Sequence, residues 1–298
     1  MNGIIIIDKP QNYTSFDIIA ILRKKFNQKK IGHMGTLDPM ATGVLPVLLG
    51  DTAKFQIFTE NKDKEYIAKM EFGLTTDTLD STGNILSTSN QKVTEKNFLK
   101  TTKSFLGKIK QIPPMFSAIK QNGKKLCDLA RKGIEVERKE REVVIKNIDI
   151  ISFDEKNQTA VVKVRCSAGT YIRTLCSDIG NILGCGATMI ELRRTESNGF
   201  KESDSITLDK FEKYSVEEIK NNYVFPTEYL FKNFKKIGIS EAQKIRFKNG
   251  GVLSIERIFM NFPIKDKEIL QICCKNEFVG LGLICKEKNE IKVLKHIK

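Results

Sequence analysis

The residues with the most chemical content lie in one loop, Gly32-His33-Met34-Gly35-Thr36-Leu37-Asp38-Pro39-Met40-Ala41-Thr42-Gly43. A single carboxylate, Asp38, stands at its centre, and one of the chain's two histidines, His33, lies just upstream. The ring of Pro39 disfavours the helical region for the residue before it, so the Asp38 backbone is biased toward an extended conformation. Gly32, Gly35 and Gly43 let the chain turn tightly or approach a ligand closely. Such a loop can present one acid to a bulky substrate. On its own, however, a loop aspartate ordinarily makes an Asx turn or a helix cap.

Other chemistries find little support. Neither His33 nor His296 has a cysteine or carboxylate at metal-ligand spacing, so no metal is expected. The seven cysteines form no C-x-x-C pair, and Cys273 and Cys274 are adjacent. An odd count without an export signal reads as buried thiols in a reducing compartment. There is no Walker loop, no G-x-G-x-x-G and no G-x-S-x-G, and no cofactor is expected. What remains is Asp38, the tyrosines Tyr66 and Tyr171, and Arg173. Singly, each reads as an ordinary core or surface residue.

The elements that must position these groups follow from periodicity. Ile4–Ile7 reads as a buried strand; the run is too short for a signal peptide, and no basic segment precedes it. No stretch is long and apolar enough to span a membrane, which places the protein in the cytoplasm. Thr14 or Ser15 can cap a helix whose face carries Ile18, Ile19, Leu22 and Phe26, with Arg23, Lys24 and Lys25 at its end. Tyr66, Ala68, Met70 and Phe72 alternate as one face of a half-buried strand, and Ala160–Cys166 forms a second. After Gly169-Thr170 a helix is predicted with Ile172, Leu175, Cys176, Ile179, Ile182 and Leu183 on its apolar side, ended by Gly184-Cys185-Gly186.

The chain of 298 residues suits two domains and carries a net charge of +14, which points to a polyanionic partner. Residues 232–298 hold 15 Lys and Arg against seven Asp and Glu, more than half of the excess. There, short strand-like runs alternate with turns at Gly238, Asn249-Gly250-Gly251, Asn276, Gly280, Gly282 and Asn289, a spacing that suits a small β-barrel. Residues 107–142 hold ten Lys and Arg against five acids, with Pro113-Pro114, Gly123 and Gly133, and read as a protruding basic arm. Periodicity alone supports an α+β chain of two domains, 1–231 and 232–298.

Several motifs resemble one family. The Asp38 loop is similar to the central motif of the TruB family of tRNA pseudouridine synthases. Asp8-Lys9-Pro10 resembles that family's first motif, and Asp63-Lys64-Glu65-Tyr66 its tyrosine segment. Ile112-Pro113-Pro114-Met115-Phe116-Ser117-Ala118-Ile119-Lys120 and Gly123-Lys124-Lys125-Leu126 resemble the arm. Gly169-Thr170-Tyr171-Ile172-Arg173-Thr174 and Leu192-Arg193-Arg194-Thr195 complete the set, which runs in family order across residues 3–195. Met34, Met40 and Cys127 depart from the family's commoner Thr, Leu and aromatic residue; none of these departures touches Asp38 or Arg173. Phe247-Lys248-Asn249-Gly250 and Val279-Gly280-Leu281-Gly282 resemble, less specifically, the family's small PUA-like barrel.

The resemblance implies a mixed, largely antiparallel sheet with flanking helices, followed by that barrel. It implies isomerisation of uridine to pseudouridine at position 55, in the T loop of tRNA, without a cofactor. Asp38 would be the catalytic carboxylate, acting by attack on the anomeric carbon or by removal of a ribose proton. Arg173 would pair with it and keep it ionised. Tyr66 would stack on the base and assist loss of the C5 proton, and Tyr171 and Leu192 would bound the base pocket. Lys9 and Pro10 would contact substrate. His33 would fill the space left by the extruded nucleotide, the arm would clamp the T stem-loop, and residues 232–298 would meet phosphates near the acceptor stem. A monomer without an obligate protein partner is expected. Two rivals stay open: a non-enzymatic RNA-binding protein on the same scaffold, and a guide-RNA-dependent synthase of the related archaeal and eukaryotic branch. The start of the chain at the first strand, without a long extension, and the arm favour the stand-alone enzyme over the latter.

Overall fold

The structure is a computed structural model that describes residues 1–60, 62–121 and 123–297. Its first strand, Gly3–Lys9, buries Ile4, Ile5, Ile6 and Ile7 completely. Side chains alternate across a strand, so an unbroken apolar run must be covered on both faces. Ile5 and Ile7 enter the main core, where Ile18, Ile19 and Leu22 of the helix Ser15–Lys25 meet them. Ile4 and Ile6 join a second cluster with Phe55, Phe200, Phe231 and Leu281. The cap of that helix is Thr14, whose hydroxyl accepts from the Asp17 amide while the Asp17 carboxylate accepts from the Thr14 amide.

Among the described residues, the larger sheet has eleven strands. Its main path runs Ile206–Thr207, Gly3–Lys9, Thr42–Leu49, Ala187–Ser197, Lys64–Phe72, Thr159–Cys166, Arg141–Asp154, Gly107–Gln111. Two contacts are parallel, Gly3–Lys9 with Ile206–Thr207 and Thr42–Leu49 with Ala187–Ser197; the other pairings in this sheet are antiparallel. The fold is therefore α+β with a mixed, largely antiparallel sheet and helices flanking it, as expected.

Helix Ile172–Leu183 packs behind this sheet. Ile172, Leu175, Cys176 and Ile179 are buried at the spacing of one helical face, and Gly184 ends the helix at φ 82°. Ile182, assigned to the same face from the sequence, is instead 63% exposed. At 100° per residue it falls about 80° from the centre of the stripe, which continues through Leu183.

The basic segment is shorter as an arm than its composition suggests. Gly107–Gln111 and Arg141–Asp154 pair antiparallel as the sheet's edge, because Ile109, Val143 and Ile145 alternate toward the core. The arm itself spans residues 112–140. It carries a minimal hairpin, Lys120–Gln121 with Lys124–Lys125, and a short helix, Leu126–Ala130, anchored by buried Met115 and Leu126.

After Phe225 the chain leaves the large sheet. Lys236–Gly238, Ile269–Cys274, Glu277–Cys285, Glu290–His296 and Leu253–Ser254 form, in that spatial order, a five-stranded sheet that curls into a half-barrel. Ile237, Phe247, Leu253, Ile272, Val279, Ile284 and Ile291 fill it. It joins the large sheet through an aromatic seam: the Phe55 ring lies 5.9 Å from Phe231 and 5.6 Å from Phe278. No helix among the described residues is long and apolar enough to cross a membrane.

Candidate active site

The Asp38 loop is bound to the scaffold on three sides. Ser15, freed from capping its helix, accepts from the Leu37 amide at 2.8 Å and donates to the Leu37 carbonyl at 3.2 Å. The Asn12 amide donates to the Pro39 carbonyl at 2.9 Å, and Ala41 closes a turn onto the Asp38 carbonyl at 3.1 Å. Gly43, at φ 102°, lies at the start of the strand Thr42–Leu49. A β-carbon there would lie 2.3 Å from the Arg194 carbonyl, so the glycine lets this strand lie against Ala187–Ser197. The close approach is to the protein's own backbone.

Lys9 holds the loop from beneath. Its ammonium is fully buried and donates to the carbonyls of Pro10 at 2.9 Å, Tyr13 at 2.7 Å and Pro39 at 3.3 Å. Burial pulls it down to about 8, against the opposing field of Asp38. Lys9 and Pro10, read from sequence as substrate contacts, lie outside the cavity lining, and Lys9 fastens the loop. Asp8 is engaged within the protein as well. Its carboxylate receives both Nη atoms of Arg193, at 3.1 and 2.9 Å, and so ties the first strand to Ala187–Ser197.

Arg173 is the hub. It stands at the start of helix Ile172–Leu183, only 4% exposed, and every arm of its guanidinium is engaged. Nε lies 3.0 Å from Asp38 Oδ2; Nη1 donates to the Thr78 carbonyl at 2.9 Å and lies 3.4 Å from Asp80 Oδ2; Nη2 donates to the Phe116 carbonyl at 2.8 Å. The helix start is set by Gln111, whose side-chain amide makes reciprocal hydrogen bonds of 3.0 and 3.2 Å with the Tyr171 backbone.

Asp80 was not legible in the sequence. It sits in a polar turn, Asp77-Thr78-Leu79-Asp80-Ser81-Thr82, where Leu79 adopts φ 62°. Thr78 Oγ1 at 2.8 Å and the Thr82 amide at 3.0 Å satisfy its Oδ1, leaving Oδ2 for Arg173. A turn so dense in Asp and Thr was the available signal, but only the fold brings it to Arg173. One guanidinium thus serves two carboxylates. The Asp38 side chain keeps 33% of its surface, and its carboxyl is pushed above the ordinary aspartate range. Burial is the main cause and the Asp80 charge adds to it; Arg173 and Lys9 oppose the shift without cancelling it.

Asp38 and Arg173 open into a cavity of about 280 Å³, lined also by Thr36, Lys64, Tyr66, Ser117, Tyr171 and Leu192. Tyr66 and Arg194 are cross-strand partners, as are Ala68 and Leu192, so the antiparallel register delivers a tyrosine and a leucine to one floor. Arg194 is fully buried: Nε donates to the Val44 carbonyl at 2.7 Å, Nη2 to the Gly35 carbonyl at 3.2 Å, and the guanidinium hydrogen-bonds the Tyr66 hydroxyl. Burial raises that hydroxyl to about 12, so Tyr66 is a neutral phenol at physiological pH.

The sequence-derived candidates Asp38, Tyr66, Arg173, Tyr171 and Leu192 therefore share one cavity. His33 does not line it. It ends the short strand Ile31–His33, half-buried, and burial together with neighbouring Arg194 lowers its pKa, leaving it neutral. Sequence reasoning missed Lys64, Ser117 and Asp80. Lys64 and Ser117 lay inside quoted motifs, and their placement in the cavity depends on strand register and on how the arm folds over the site.

Residues 23–172 match the TruB family pseudouridylate synthase N-terminal domain, and residues 173–232 match the tRNA pseudouridylate synthase B C-terminal domain. The sheet, the carboxylate–arginine pair and these matches define a pseudouridylate synthase. The tRNA pseudouridine synthase B of Clostridium tetani is 44% identical over 296 residues, covering 99% of each chain, and that of Clostridioides difficile is 39% identical over 296 residues, covering 98% of each. The chain belongs to the TruB family. In fold it is similar to a chain in an H/ACA RNP bound to a substrate RNA containing 2′-deoxyuridine, with TM-score 0.72, 26% identity, and 99% of this chain and 85% of that one covered. It is similar to the same degree to a chain of a Cbf5-Nop10-Gar1 complex, with TM-score 0.72, 28% identity, and 99% and 84% covered.

Proposed function

We propose that this enzyme converts uridine to pseudouridine at position 55, in the T loop of tRNA, with Asp38 as the catalytic carboxylate. The observation that carries this reading is the Asp38–Arg173 pair at the mouth of a cavity floored by Tyr66 and Leu192. The names of its relatives support tRNA as the substrate.

The target uridine leaves its stack, at a cost of a few kcal/mol, and enters the cavity. Asp38 acts on the sugar side, at the anomeric carbon or on a ribose proton, as carboxylates do at electron-poor sugar centres in glycoside hydrolysis. The N1–C1′ bond breaks, the uracil turns within the cavity, a C5–C1′ bond forms, the C5 proton is lost to solvent or a base, and N1 takes up a proton. Atoms and electrons balance without a cofactor. Arg173 fixes the direction of the Asp38 carboxylate through Nε while its remaining donors are held elsewhere. Tyr66, a neutral phenol bonded to Arg194, supplies a stacking face worth about 1–3 kcal/mol. Its protonated state argues for a stacking and hydrogen-bonding part rather than a pre-ionised base. Tyr171 closes the pocket beside the arm, and His33, neutral and outside the cavity, would occupy the gap left by the extruded nucleotide.

Residues 1–231 would be the catalytic domain and 232–298 a PUA-like RNA-binding domain meeting phosphates near the acceptor stem, while the arm clamps the T stem-loop. The enzyme would act in the cytoplasm as a monomer without an obligate protein partner. Incubating the purified chain with an unmodified tRNA transcript and mapping pseudouridine by sequence position tests the reading; product at position 55 and its loss in Asp38→Asn is the expected result. The likeness to RNP-associated synthases motivates the guide-dependent alternative. Absence of product with the chain alone would favour it.

A further inference from the structure

Lys64 is the one charged cavity residue that the proposed reaction leaves without a role. It opens the strand Lys64–Phe72, two residues before Tyr66, so both side chains leave the sheet on the face that carries Asp38. Its ammonium reaches past the Asp38 loop: a β-carbon on Gly35, at φ 116°, would lie 2.8 Å from Lys64 Nζ. The absence of a side chain at Gly35 is what gives that head group room.

The head group is cationic and has no anion beside it among the described residues. Among the described residues Lys64 makes no ion pair and no side-chain hydrogen bond, whereas other buried or half-buried cations of the site, Lys9, Arg173 and Arg194, are each ringed by carbonyls or carboxylates. Its charged neighbour is Arg194, of like sign, and burial lowers its pKa to about 8. Holding an unpaired ammonium beside a guanidinium disfavours the empty protein. The arrangement makes sense if an anion arrives with the substrate. In a uridine nucleotide the base and ribose are neutral, and the phosphodiesters alone carry charge.

We propose that Lys64 is a substrate-positioning phosphate contact, binding a phosphodiester that flanks the flipped uridine and so setting how deep the nucleotide enters toward Asp38. The inference rests on the functional reading above. It explains why a lysine sits inside a cavity whose other lining suits a neutral base. A phosphate there would pair with a desolvated ammonium, and a charge-assisted contact of this kind is worth about 1.5–3 kcal/mol, or roughly ten- to a hundredfold in affinity.

The test compares wild type, Lys64→Met and Lys64→Arg on tRNA transcripts, and on T-arm oligonucleotides bearing a single uncharged methylphosphonate on either side of the target uridine. Lys64→Met is expected to raise Kd and KM at least about tenfold, more than it lowers kcat, and to flatten log Kd against log salt by about 0.7–0.9. Lys64→Arg should recover part of the affinity. One of the two methylphosphonates should weaken wild type by a similar factor yet add nothing in Lys64→Met. An unchanged salt slope, a loss confined to kcat, or additive effects of the variant and both methylphosphonates would overturn the proposal. Thermal melting of each variant separates misfolding from lost contact; if Lys64→Met melts early, Lys64→Arg and the methylphosphonates on wild type decide. Wild type failing to modify position 55 would instead overturn the functional reading itself.

Discussion

Arg173 Nε lies 3.0 Å from Asp38 Oδ2, while the same guanidinium reaches Asp80 Oδ2 at 3.4 Å. One buried cation is thus shared by two acids, one in the cavity mouth and one wholly internal. The arrangement separates their roles: Asp80 is locked by Thr78 and Thr82, and Asp38 is left able to meet substrate.

Replacing Asp38 by Asn keeps the shape of the side chain and removes its charge. Pseudouridine formation should fall by more than about 10³-fold, at the upper part of the range for loss of a positioned acid–base or nucleophilic group, while tRNA binding is largely kept. Single-turnover assays at saturating enzyme, with parallel filter-binding, check this. Full activity in Asp38→Asn would remove the mechanism proposed here.

The raised pKa of Asp38 fixes a sign in pH. The reaction needs the ionised carboxylate, so the rate should climb as pH rises through a value above the ordinary aspartate range and then level. Asp80→Asn removes a like charge and should move that acid limb to lower pH. The same shift bears on stability. Above the ordinary aspartate pKa the folded protein holds a proton at Asp38 that the unfolded chain has released, so this group's contribution to stability declines as pH rises through that window. Asp38→Asn should therefore melt higher than wild type at neutral pH, and an unchanged or lower melting temperature would contradict the assignment.

Loss of Arg173 leaves two facing carboxylates and two orphaned carbonyls, those of Thr78 and Phe116. Arg173→Met should destabilise the fold by about 3–5 kcal/mol, as expected when one member of a buried ion pair is removed. The double variant with Asp80→Asn should recover part of that loss. Chemical denaturation of the single and double variants measures the coupling, and strict additivity would show that Arg173 and Asp80 do not interact.

Lys9 gives a discriminating case. As a fastener beneath the Asp38 loop, its replacement by Met should lower the melting temperature and the rate, since the Pro10, Tyr13 and Pro39 carbonyls lose their common donor. The affinity for tRNA should hold. A substrate-contacting Lys9 would show the reverse pattern, with affinity falling and stability unchanged.

The half-barrel cannot be cut away cleanly. Removal of residues after 232 would bare Phe55, Leu230 and Phe231, which Phe278 and Leu281 now cover. Such a truncation should aggregate or melt early, as exposed apolar clusters do. Its part in RNA binding is better tested by charge-removing substitutions at half-buried Lys248 and exposed Lys288, each expected to weaken tRNA binding and reduce its salt dependence, with the melting temperature unaltered at Lys288. Unchanged binding in both would argue against a phosphate-contacting role for this face.

The sequence by itself determined much of this protein. Local rules placed the first strand, the Thr14-capped helix, the Tyr66 strand and the Ile172 helix, because burial periodicity and capping act over a few residues. The motif set marked Asp38, Tyr66, Tyr171, Arg173 and Leu192, and the fold gathers all five around one cavity. What only the tertiary structure decided were matters of register and distance. Lys9 belongs to a marked motif yet is buried against loop carbonyls, and its half-buried neighbour Asp8 is taken up by Arg193. Asp80 reaches Arg173 across 93 positions of chain, through a turn held by its own threonines, and no local pattern encodes that meeting. Ile182 fell off its stripe because a period of 3.6 drifts from the simple spacing. The charge of Lys64 was plain in the sequence; that it stands in the cavity without a partner among the described residues, in the space a glycine leaves open, follows only from how two distant segments pass each other.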